Sequence, residues 1–126
     1  MRKETKYIII HCSATKPSMD IGFEEIDKWH RAKGWFGCGY HKIIRRKNGI
    51  VQQGRADEEV GAHCRGRNHD SISICMVGGV SENNIEQWED NFEGSQWTAL
   101  KELIIQLHNK YPEAEICGHY KFSDTK

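Results

Sequence analysis

Residues 6–11 carry the run Tyr7-Ile8-Ile9-Ile10, four large apolar side chains in succession between Lys6 and His11. A strand with one wet face alternates apolar and polar positions. An unbroken β-branched run instead needs cover on both faces, the condition met where parallel strands lie between layers of helix. The chain should therefore fold as a layered α/β domain, and the rest of the sequence supplies the parts. Residues 71–77, Ser-Ile-Ser-Ile-Cys-Met-Val, alternate and then run apolar, a central strand closed by Gly78-Gly79. Residues 40–45 and 50–53 flank Asn48-Gly49, a dipeptide that accepts the positive φ angles of a type I′ turn, and read as a hairpin. Residues 114–119 form a short final strand.

Two helices fit between these strands. Over residues 22–33, Asp20 is the expected N-cap, Glu24 and Glu25 suit the first turn, and Gly34 suits a left-handed C′ position. Phe23, Ile26 and either Trp29 or His30 give this helix a narrow apolar face. Ser95 is the expected cap of a second helix, with Trp97, Leu100, Leu103, Ile104 and Leu107 along one side and Pro112 ending it shortly after Lys110. Residues 54–67 and 81–94 lack periodicity and read as loop and surface excursion. The expectation is one domain over residues 1–126, with a central mixed sheet of about five strands flanked by helices.

Composition narrows the partners. Eighteen Lys+Arg balance eighteen Asp+Glu for a formal net charge of zero. A nucleic-acid binder usually carries a basic excess, and an anionic membrane would exert no pull on this chain. The apolar run at residues 7–10 is too short for a signal-peptide core, so synthesis in the cytoplasm without a signal peptide is the expectation. The five cysteines, Cys12, Cys38, Cys64, Cys75 and Cys117, form no C-x-x-C pair and read mostly as small buried apolar side chains.

Seven histidines invite a metal, and position decides which of them matter. His11 ends the first strand and His119 ends the last. If those strands are parallel neighbours, both imidazoles project from the carboxyl edge of the sheet, where open α/β sheets bind ligands. Two neutral imidazoles there suit zinc, whose catalytic sites take three protein ligands and keep one position open. The alternative is that both are hydrogen-bonded packing residues, and spacing alone does not separate these readings.

A set of short segments adds to this reading. His11-Cys-Ser-Ala-Thr15, Gly39-Tyr-His-Lys-Ile-Ile44, Val60-Gly-Ala-His63, Asn68-His-Asp-Ser-Ile-Ser73, Val77-Gly-Gly79 and Gly118-His119 follow one another in order. Together they resemble the type-2 N-acetylmuramoyl-L-alanine amidases, a family that includes amidase-type phage lysozymes and peptidoglycan recognition proteins. The likeness runs from Tyr7 to His119 and is strongest to the small phage lysozymes, which share Glu25-Ile26, Trp29-His30 and Gly34-Trp35.

The resemblance implies zinc at the carboxyl edge of the sheet, with His11 and His119 as ligands and Tyr40 beside the metal as a catalytic group. It implies a third ligand, a Cys or Asp, beyond the second His and preceded by a catalytic Lys. None of the five cysteines stands in that place, and the sequence reaches Lys126 before any Cys-Pro. Lys126 is read either as that catalytic Lys, in a domain truncated just before its third ligand, or as an unrelated end residue. His63, His41, Asn68 and Trp35 are candidates to line a groove for glycan and stem peptide.

The implied function is zinc-dependent hydrolysis of the amide between N-acetylmuramic acid and L-alanine in peptidoglycan, by a monomeric phage or prophage endolysin acting on the cell wall after release. Two other readings stand beside it: a peptidoglycan-binding module that does not cut, and a cytosolic wall-recycling amidase. The resembling phage lysozymes also bind a phage RNA polymerase, a role no residue pattern tests.

Overall fold

The computed structural model describes residues 1–122. The chain forms β1 (Tyr7–Cys12), α1 (Phe23–Ala32), β2 (Lys42–Ile44), β3 (Val51–Gln53), β4 (Ser71–Met76), α2 (Gly94–Lys110) and β5 (Glu115–Gly118). The five strands make one sheet in the order β3-β2-β4-β1-β5. β1 runs parallel to both neighbours, β4 and β5, and β2 runs parallel to β4. The β2–β3 hairpin supplies the antiparallel edge. A mixed five-stranded sheet with two helices matches the architecture expected from the sequence.

The β1 run lies where its composition requires. Ile8 and Ile9 point to opposite faces, and both are fully buried. On one face Ile8, Ile72, Ile74, Met76 and Ile44 meet Leu100, Leu103 and Leu107 of α2. On the other, Ile43, Cys75 and Val77 pack with Ile21 and Ile26 beneath α1 and with Cys38 and Tyr40. The alternation of β4 thus splits cleanly: its isoleucines face α2, while Ser71, Ser73 and Cys75 face the α1 side, all three fully buried.

Helix ends depart from expectation by one or two residues, and hydrogen bonding explains each case. Gly22, not Asp20, caps α1, because its N–H is taken by Glu25 Oε1 at 2.7 Å while Asp20 is drawn to Arg45 Nη2 at 2.8 Å. α2 begins at Gly94, capped at Glu93, because the buried Gln96 side chain accepts the Glu93 N–H at 2.9 Å. The same Gln96 amide donates to the carbonyls of Val77 at 2.9 Å and Ile44 at 3.2 Å, pinning the helix start to two strand ends. Asn48 and Gly49 both take positive φ, as the turn dipeptide suggests, within a connection over residues 46–49. Trp97, expected among the core residues of α2, is instead 46% exposed at the sheet edge.

Three cysteines are buried and two half-buried, none in a disulfide. Among the described residues, no helix is long and apolar enough to cross a membrane.

Candidate active site

Register brings two distant histidines together. β1 and β5 pair in parallel with Ile10 opposite Gly118, so the next residue on each strand is His11 and His119. Their ring centroids lie 4.6 Å apart at the carboxyl edge of the sheet. The neighbourhood required by the sequence argument, two parallel strand ends side by side, is the one observed.

Tyr40 reaches the same place from the residues preceding β2. Its ring centroid is 5.2 Å from that of His11, and only 8% of the residue is exposed. Burial pushes the phenol well above its ordinary pKa, and a hydrogen bond to Cys75 acts in the same direction. Tyr40 is therefore a protonated donor throughout the neutral range.

His63 meets His11 directly, with Nδ1 at 2.9 Å from His11 Nε2. Asn68 holds the loop that carries it: its side-chain oxygen accepts the N–H groups of His63 and Cys64, each at 2.9 Å. His41 lies deeper. It is fully buried, its Nδ1 accepts the Ser73 N–H at 3.1 Å, and its Nε2 donates to the Glu59 carbonyl at 2.8 Å. Of the four residues expected along a groove, His41 thus has no surface to offer a ligand, and Asn68 is engaged in shaping the loop. Trp35 keeps an exposed edge and joins the site through a series of rings, 4.5 Å to His30, then 5.5 Å from His30 to Tyr40.

Sequence reasoning missed two features. His30, expected only as a possible member of the apolar face of its helix, accepts the Gly39 N–H at 2.8 Å and so positions the strand approach that carries Tyr40. A cleft of about 750 Å³ opens beside His11 and His119, walled by Trp88, Phe92, Trp97, Val80 and Tyr120, with Glu86 at its margin. Trp88 is 67% exposed and bridges to Val80 across the excursion after β4. The apolar residues within the otherwise polar 81–94 segment were the available signal.

The donor set can be tested against zinc. Two imidazoles from adjoining strand ends are nitrogen ligands of the type zinc accepts, and the cleft beside them leaves room for a substrate. Among the described residues, no group of three His, Cys, Asp or Glu side chains completes a site. Lys126 lies outside the described residues. The two donors fit, as part of a ligand set.

His41 carries a measurable pH signature. Burial lowers its pKa from 6.5 to about 4, against the opposing Glu59 carbonyl bond and with a smaller push from Arg2. The Arg2 guanidinium lies 3.5 Å from Nε2, and Asp57 and Arg55 stand nearby. As pH falls, the unfolded chain takes up this proton first. The stabilisation is complete above about pH 6.5, declines down to about pH 4 and is gone below it, a span of roughly 3 kcal/mol. Thermal melts from pH 7 to 4 should show this decline, and a His41→Gln variant should show a shallower one. Equal slopes in both proteins would refute the assignment.

Comparison with known proteins agrees with the fold. The family model described as N-acetylmuramoyl-L-alanine amidase matches residues 1–126. The endolysin of Escherichia phage T7 is 42% identical over 120 residues, covering 95% of this chain and 78% of that protein. Among solved structures, the endolysine N-acetylmuramoyl-L-alanine amidase LysCS from Clostridium intestinale superposes with a TM-score of 0.80 at 29% identity, over 97% of this chain and 73% of that one. Drosophila PGRP-LB, at 23% identity and a TM-score of 0.78 over 97% of this chain and 73% of that one, shares the fold. The chain belongs to the N-acetylmuramoyl-L-alanine amidase family and is an amidase acting on peptidoglycan.

Proposed function

We propose that the chain is a phage or prophage endolysin that cleaves the bond between N-acetylmuramic acid and L-alanine with zinc held by His11 and His119. The observation that supports this reading is a pair of imidazoles lining one cleft with their ring centroids 4.6 Å apart, and a buried tyrosine ring 5.2 Å from the first of them. Likeness to phage endolysins supports the lytic role over wall recycling. A non-cutting binding module would have no need of Tyr40 poised beside His11.

When bound, zinc supplies a Lewis acid for the scissile carbonyl and acidifies water to a pKa of about 7. Tyr40, kept protonated by burial, donates toward the carbonyl oxygen as negative charge gathers there, a contribution of about 3 kcal/mol for one such donor. On this reading the same hydroxyl protonates the departing L-alanine amine, directly or through water. Lys126 is proposed as a second donor to the same oxygen, a cationic one. Trp88, Trp97 and Trp35 offer flat faces for the sugar and apolar parts of the stem. On this reading the protein acts as a monomer that reaches the wall after release, with neither nucleic acid nor membrane as partner.

Digestion of purified peptidoglycan tests the reaction. New free L-alanine amino termini are expected without new reducing sugar ends, together with bound zinc in the purified protein. Reducing ends would mark a glycosidase, and binding to the wall without any cleavage would mark the non-cutting module.

A further inference from the structure

The chain of hydrogen bonds behind His11 has one consistent proton arrangement when both imidazoles are neutral. The Ser71 hydroxyl, fully buried, donates its single proton to the Arg67 carbonyl at 2.6 Å. At 3.1 Å from His63 Nε2, the Ser71 oxygen can then only accept, so His63 carries its proton on Nε2. The His63 lone pair therefore sits on Nδ1, which faces His11 Nε2 at 2.9 Å. One proton must lie between those two nitrogens, and it belongs to His11 Nε2. A neutral imidazole with Nε2 protonated has its lone pair on Nδ1.

We infer that His63 is a positioning residue: it receives the His11 Nε2–H and thereby fixes the tautomer in which His11 offers Nδ1 to the metal. This rests on the zinc reading above and gives His63 a place other than contact with the glycan. Ligand imidazoles are commonly held through their second nitrogen in this way. The surrounding backbone is shaped for the contact. A Cβ on Gly61 would stand 2.5 Å from His63 Cδ2 and 2.9 Å from His41 Cε1, so only glycine lets the two rings lie beside this turn. Asn68 holds the His63 N–H on the other side.

The consequence is open to measurement without substrate. In metal-free protein at pH 7.5, long-range ¹H–¹⁵N correlation spectra should show both His11 and His63 as Nε2–H tautomers. An Nδ1–H pattern at His11, or an imidazolium at His63, overturns the assignment. Zinc titration supplies the second readout. His63→Leu should weaken affinity by about 10- to 100-fold, and His63→Asn, whose amide oxygen can take the place of Nδ1, should recover part of that loss. Unchanged affinity in folded His63→Leu overturns the positioning role. If the wild-type full chain binds no zinc, the zinc reading fails, while the spectra still decide the tautomers.

Discussion

Replacing His119 by alanine is expected to lower release of L-alanine amino termini from peptidoglycan by about a thousandfold or more, with the fold intact. The size follows from the chemistry: Lewis-acid assistance is worth several kcal/mol, and each 1.36 kcal/mol is about tenfold in rate. The fold should tolerate the change because His119 is half-buried and follows β5, outside both apolar clusters. His11→Ala should abolish cleavage as completely, but its cost to stability should be larger, since that residue is only 3% exposed and bonded to His63. The pair thus separates loss of chemistry from loss of structure. Rates of product formation, set beside melting temperatures and pull-down on intact wall, check the prediction. A His119→Ala protein that binds the wall and still cuts near the wild-type rate would remove the metal pair from the mechanism.

Ile74→Ala should cost about 2 to 5 kcal/mol, or roughly 8 to 20 °C in melting temperature. Ile74 lies in β4, between β2 and β1, and is fully buried against Leu100 and Leu103 of α2. Deleting its three outer carbons removes apolar contacts on a face that the rigid sheet cannot close. Ile116 supplies the comparison. It projects from the same face, opposite Ile8, but β5 is an edge strand and Ile116 is 41% exposed. Its replacement by alanine should cost well under half as much. Chemical denaturation of the two variants checks both numbers, and equal losses would contradict the strand order.

That comparison marks a boundary of what residues announce by themselves. Two isoleucines in two short strands look alike in sequence, because alternation is a local property of period two. Strand order depends on pairing across long stretches of chain, and it places one isoleucine at the centre and the other at the rim. The same holds for the helix caps. Asp20 and Ser95 are suitable cap residues by type, yet the bonds made by Arg45 and Gln96 in the packed structure move the caps to Gly22 and Glu93.

The elements themselves were legible. An apolar run at residues 7–10 demanded a strand covered on both sides, the alternation of residues 71–77 demanded a second one, and Asn48-Gly49 demanded a turn. The order of short segments around His11, Tyr40, His63 and His119 was enough to identify the family. What no local pattern contained was the register of β1 against β5, which turns two strand ends 108 positions apart into a pair of rings at 4.6 Å. Nor did it contain the burial of His41, the Ser71–His63–His11 bonds or the aromatic cleft beside them. Side-chain type and spacing determined which strands and helices this protein could form. Which histidines meet, and through which nitrogen, was decided only when packing fixed the sheet order and left each buried polar atom a small choice of partners.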